Sequence, residues 1–157
     1  MKTTVEYTNA TGTKVRIEME YINEFRTVEI DDDGYKFNSK ELYQNQSVKL
    51  FINGTEKVSA RHLTEVTKEN KIGMPVNAPI GSVMIQSGNT QIALNGHTEE
   101  IISAWKKLIS EGTSDEVKAA EAKEAAKEIE ETEKYNKLVE NGLCTRCGTF
   151  CDGDCQA

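Results

Sequence analysis

No cysteine occurs before position 144, the chain holds only two prolines, two histidines and one tryptophan, and long apolar runs are missing. Each scarcity removes something. A helix that crosses a bilayer wants about 20 consecutive apolar residues, so no membrane segment is expected. The opening MKTTVEYTNATGTKVRIEMEY alternates in polar residues where a secretory leader needs an unbroken apolar stretch, and the expected location is the cytoplasm. There the Asn-x-Ser/Thr triplets at Asn9, Asn45 and Asn53 are chance matches. The two histidines, His62 and His97, sit in no recognisable signature, which leaves a Ser/His or Cys/His device little to work with. Neither the P-loop pattern nor G-x-G-x-x-G appears. In DDDG at 31–34 the aspartates are consecutive, whereas a calcium loop of the EF-hand type spaces them, so a solvated turn is the better reading.

Positive charge is also short. There are 19 Lys and Arg against 26 Asp and Glu, for a net −7. Residues 1–112 hold 13 basic and 15 acidic side chains, while residues 113–157 hold 6 and 11, so the last third carries −5 of the total. Affinity for nucleic acid comes largely from Lys and Arg on phosphates, and direct nucleic-acid binding is therefore not expected. A protein partner with a basic surface is.

What is present begins with alternation. In VRIEMEY, Val15, Ile17, Met19 and Tyr21 fall on one face and Arg16, Glu18 and Glu20 on the other, the period of a half-buried strand. TTVEY upstream completes a hairpin through TNATGTK. FRTVEI and YKF around DDDG read as a second hairpin. SVKLFINGTEKVSA carries Asn-Gly between two β-prone runs, with Val48, Leu50 and Ile52 on one side and Phe51 blurring the pattern. Pro75 and Pro79 mark a loop, and SVMIQSGNTQIALNG is a further hairpin around Gly88-Asn89. Seven or eight short strands are expected before residue 96.

The period then changes. Ile101, Ile102, Trp105, Leu108 and Ile109 form one face of an amphipathic helix over 98–111 that ends at Gly112 and is expected to cover an open side of the sheet. Trp105, inside that stripe, is expected in the core. TSDE at 113–116 reads as a capping box, with Thr113 accepting at a helix start and Glu116 reaching back. From there to the stop at Asn141-Gly142 the chain is strongly helix-prone, and its middle is thin in apolar residues apart from Ile129. It has the composition of a semi-rigid helical spacer. Periodicity leaves an extended arm, a folded-back arm and a homodimer joined through 114–141 all open.

All four cysteines, Cys144, Cys147, Cys151 and Cys155, then follow within CTRCGTFCDGDCQA. In a reducing compartment such spacing points to metal ligands and not to disulfides, ahead of a redox pair at Cys144 and Cys147 or an iron–sulfur cluster, whose spacings match poorly. Two thiolates three residues apart can share one metal, and Gly148 frees the backbone where it must curl. Four thiolates satisfy tetrahedral Zn²⁺ and leave no open position, so the zinc would be structural. If one thiol were spare, His62 or His97 would complete the shell. Four thiolate charges against the two of zinc would take the formal total from −7 to −9. With little apolar beyond Leu143 and Phe150, the last residues cannot build a core, and metal binding is what would order them.

The fold expected is thus α+β: an antiparallel β-rich body of hairpins with its covering helix over 1–112, a charged helical arm over 113–141, and a cysteine zinc tail over 142–157. The closing NGLCTRCGTFCDGDC on a small acidic body resembles the tails of phage-encoded zinc-containing anti-CRISPR proteins, which act on type II CRISPR effector nucleases. That resemblance implies a non-enzymatic inhibitor in the bacterial host cell, whose acidic surface occupies a basic nucleic-acid-binding domain and blocks target DNA engagement, with zinc as scaffold. Two other classes stay open: a small enzyme or ligand-binding protein with a pocket in the β-rich body near Pro75–Pro79, and a self-associating structural protein.

Overall fold

The structure, a computed structural model, describes residues 1–75 and 78–150. It divides into two compact units, Met1–Ser114 and Asp115–Ala157. The fold is α+β with antiparallel sheets. Seven strands are found among the described residues: β1 (Lys2–Thr8), β2 (Lys14–Asp32), β3 (Tyr35–Ile52), β4 (Thr55–Ala60), β5 (Leu63–Glu65), β6 (Val83–Ser87) and β7 (Thr90–Leu94). The first four make one sheet in the order β1-β2-β3-β4, and the last three make a second in the order β5-β6-β7. Helices α1 (Thr98–Gly112) and α2 (Asp115–Glu140) follow. No helix among the described residues is long and apolar enough to cross a membrane.

Tight turns fix the register. Asp33 (φ 51°) with Gly34 (φ 87°), and Asn53 (φ 50°) with Gly54 (φ 79°), place two successive residues in the left-handed region. That is the two-residue loop whose twist matches the flanking strands. The resulting pairing sets Ile17 opposite Leu50 and Met19 opposite Val48, so one face of the sheet is continuously apolar. Val15, Ile17, Met19 and Tyr21 are all buried, as their alternation requires. Between β3 and β4 the register shifts at Leu50/Phe51, a bulge that leaves the alternation of β3 against β2 intact. Phe51 keeps to the other side, with the Arg16 guanidinium 4.2 Å above its ring.

The core of Met1–Ser114 gathers this face together with Leu63, Val83, Ile85 and Leu94 from the second sheet and Ile101, Trp105 and Leu108 from α1. Trp105 is a core residue, meeting Tyr21 edge to face with ring centroids 6.1 Å apart. Val66, Ala78 and Met84 form a second, smaller cluster, with Met74 and Ala93 packed against it.

Two readings change. FRTVEI and YKF are not a separate short hairpin but the outer halves of β2 and β3, strands of 19 and 18 residues paired without a break from Val15↔Ile52 to Asp32↔Tyr35. Nothing between Tyr21 and Phe25 can break a strand, so the ladder continues until Asp33-Gly34 turns it. Thr113 does not open the second helix. It caps the C-terminus of α1, and its hydroxyl donates to the Ile109 carbonyl at 2.7 Å. The chain is tied there to β2, where the Ser114 amide donates to the Asn23 carbonyl at 2.9 Å.

Close approach at this junction fixes one residue type. A Cβ on Gly112 would lie 2.6 Å from the Tyr21 carbonyl oxygen and 2.9 Å from Tyr21 Cδ1, with no flexible group to give way. Gly112→Ala is therefore expected to lower stability by about 1–3 kcal/mol through overpacking. Gly73→Ala, whose added carbon meets nothing within 4 Å, should stay within about 1 kcal/mol of the parent. Urea denaturation of the two variants checks this, and equal midpoints would contradict it.

Candidate functional site

The end of α2 is built to present the first two cysteines. Gly142 adopts φ 67°, its amide donates to the Val139 carbonyl at 3.1 Å, and the Leu143 amide donates to the Leu138 carbonyl at 2.9 Å. This paired arrangement is a Schellman cap, which satisfies the last carbonyls and turns the chain sharply off the helix axis. Cys144 begins a second turn at once. Its carbonyl accepts the Gly148 amide at 2.8 Å, and its own amide donates to the Thr149 carbonyl at 2.8 Å. Gly148 sits at φ 71°, where only glycine is unstrained.

Within that loop the Arg146 amide donates to Cys144 Sγ at 3.4 Å, and Cys147 Sγ lies 3.0 Å from Thr149 Oγ1. Amide donation toward sulfur complements negative charge there, and so the turn suits a thiolate. Cys147 is exposed and Cys144 half-buried. The loop leans on its own helix: a Cβ on Gly148 would touch Leu138 Cδ2 at 3.9 Å, and one on Gly142 would touch Phe150 Cε1 at 3.8 Å. Cys151 and Cys155 lie outside the described residues. Among the described residues no three His, Cys, Asp or Glu side chains cluster as a metal site would require.

His62 is exposed beside β5. His97 stands before α1 at φ 53°, stacked on Tyr7 with ring centroids 4.1 Å apart and with Nδ1 3.2 Å from Glu100 Oε2. Burial, and then the charge of Glu100, push the Tyr7 phenol above its ordinary value. His97, Glu99 and Glu100 line an open depression with Glu65. A second depression, of about 380 Å³, is lined by Glu6, Tyr7, Lys14, Arg16 and Phe51 of the first sheet.

What sequence reasoning missed is that the FRTVEI–YKF hairpin continues the inner strands as the outer half of β2 and β3. Beyond Asn23 and Gln44 the two strands run about 30 Å further at 3.3–3.4 Å per residue. Register and pleat sort their side chains into two faces. One carries Glu24, Arg26, Val28, Ile30 and Asp32 with Tyr35, Phe37, Ser39, Glu41 and Tyr43 across from them, and the other carries Phe25 and Leu42 among Thr27, Glu29, Asp31, Lys36, Asn38 and Lys40. Tyr35 is 82% exposed and Phe37 50%. On the first face the Arg26 guanidinium lies 3.4 Å from the Tyr43 ring centroid and 2.7 Å from Glu24, and Glu24's hydrogen bond leads the effects that hold Arg26 further in its charged form.

Helix α2 contrasts with α1. Its one buried residue is Val117, and Ile129, Tyr135 and Val139 are more than half exposed. Of its 26 residues, nine are acidic and five basic. Comparison with known protein families, curated proteins and solved structures finds no match.

Proposed function

We propose that this is a non-enzymatic acidic protein that binds and inhibits a basic, nucleic-acid-handling partner, with a structural zinc ion ordering its C-terminal tail. The observation that carries the reading is α2: 26 residues of regular helix with net charge −4 and a single buried residue. Core packing explains almost none of that surface. A dense array of carboxylates at low apolar content is what a Lys- and Arg-rich surface recognises, and it engages such a surface as phosphates do. Inhibition then needs only occupancy. The acidic protein covers the cations that nucleic acid would neutralise, and the resemblance of the tail suggests a type II CRISPR effector nuclease as the protein covered.

The metal reading rests on the turn at Cys144–Gly148. It offers two sulfurs, a left-handed glycine after the second, and an amide aimed at the first. These residues fit one half of a thiolate zinc site, and Cys151 and Cys155 would supply the other half. Closed by four thiolates the ion would have no open position, and its work would be to fix the loop against Leu138 and Phe150. Such binding is worth about 10–16 kcal/mol in finger peptides, ample to order a segment with no core. A reducing bacterial cytoplasm suits it.

Two measurements test the reading. Intact mass under native conditions and then in acid should show the loss of one zinc, and Cys147→Ser should abolish that difference while His62→Ala and His97→Ala leave it unchanged. A native mass equal to the acid mass would remove the metal. Binding to a purified type II effector nuclease loaded with guide RNA should weaken by about tenfold or more between roughly 0.1 and 0.5 M salt, because exposed charges are screened. Absence of binding, or affinity that salt does not move, would overturn the inhibitor reading.

A further inference from the structure

We infer that the open edge of β2, from Glu24 to Asp32, accepts an added strand from the basic partner, a strand that alternates Lys or Arg with aliphatic residues. The inference rests on the reading that the partner is basic, and it names where and how that partner is held.

Backbone direction comes first. On the β1 side of β2 the Tyr21 amide donates to the Met1 carbonyl at 2.9 Å, and the Asn23 carbonyl accepts the Ser114 amide at 2.9 Å. Amide and carbonyl directions alternate along an antiparallel strand, so Phe25, Thr27, Glu29 and Asp31 point their own groups toward the same side. There β1 has ended, its pairing with β2 running only from Lys14 to Glu20. Past Asn23 the described residues offer these four no pairing strand. A row of unpaired groups along a regular strand is a template for another chain, and main-chain bonds then supply the affinity.

The hairpin has two open edges, and charge separates them. Over 24–32, β2 carries Glu24, Glu29, Asp31 and Asp32 against Arg26, for −3, while over 35–44 β3 carries Lys36 and Lys40 against Glu41, for +1. A basic strand is therefore drawn to the β2 edge. The pleat dictates its pattern as well. Residues beside Glu29 and Asp31 meet carboxylates, and those on the opposite face meet Val28 and Ile30, next to Phe37 and Tyr35 across the hairpin. The Glu29–Lys36 pair, at 3.3 Å and well exposed, holds little against a second cation.

The test uses the isotope-labelled full chain and a capped peptide of about nine residues that alternates lysine with valine, with a glutamate-for-lysine counterpart as control. The lysine peptide should slow amide exchange at Phe25, Thr27, Glu29 and Asp31, and the glutamate peptide should not. Thr27→Pro removes an outward amide and should weaken binding by about tenfold or more, whereas Asn38→Pro, on the outward side of the other edge, should leave it unchanged. If Thr27→Pro unsettles the hairpin, Glu29→Lys combined with Asp31→Lys must give the same loss. Protection confined to α2 would overturn the edge while sparing the basic-partner reading. Equal binding of both peptides, or none of either, would overturn both. Protection that grows with protein concentration alone would mean that a second copy fills the edge, and the inference would fall.

Discussion

The seating of α1 on the two sheets is the interaction that the rest of Met1–Ser114 depends on. Ile101, Trp105 and Leu108 enter a cluster shared by Ile17, Leu50, Val83 and Ile85, and a large side chain fully buried in this way contributes about 1.5–3 kcal/mol. The seating is close enough that the last residue of the helix must be glycine, because Tyr21's carbonyl occupies the space a Cβ would need. Thr113 closes α1, Ser114 bonds to Asn23, and β2 is pinned at the residue where its buried half ends. One contact thus both completes the core and defines where the exposed half of the hairpin begins.

That exposed half is costly to leave open. A two-stranded ribbon is only marginally stable in water by itself. Here it is carried as the continuation of strands that the core already holds, and cross-strand contacts such as Arg26 on Tyr43 and Glu29 with Lys36 support it outward. The same continuity keeps its ladder regular, without a register shift like the one between β3 and β4. A regular, acidic edge on β2 and an acidic helix with one buried residue are the two surfaces on which the proposed cationic partner rests.

Much of the body was legible in the sequence, because its signals are local. Alternation from Val15 to Tyr21 told the buried face, Asp33-Gly34 and Asn53-Gly54 told the turns, and the stripe from Ile101 to Ile109 told the helix that enters the core. The length of β2 and β3 was not legible. Gln44, Asn45 and Gln46 lack the apolar alternation that marks a strand, and they are held in the ladder by β2 across from them, which no local window contains. Thr113 misled for a similar reason: a hydroxyl before an acidic turn has the pattern of a cap, yet the nearer acceptor is Ile109 of the preceding helix. At the tail, Cys144 and Cys147 stand in one turn, with the Arg146 amide on the Cys144 sulfur and Gly148 in the left-handed region after the second cysteine.

Two sources of order therefore divide the chain. Apolar burial sustains Met1–Ser114, and for the segment after Gly142, with only Leu143 and Phe150 as large apolar residues, the source of order we propose is the metal. Amide hydrogen exchange of the full chain, followed before and after a strong zinc chelator, tests that division most directly. The account predicts that Leu143, Cys144 and Gly148 lose protection while the amides of Val15–Tyr21 and of α1 keep theirs. Unchanged protection at the loop, or loss that spreads into β2 and α1, would contradict it.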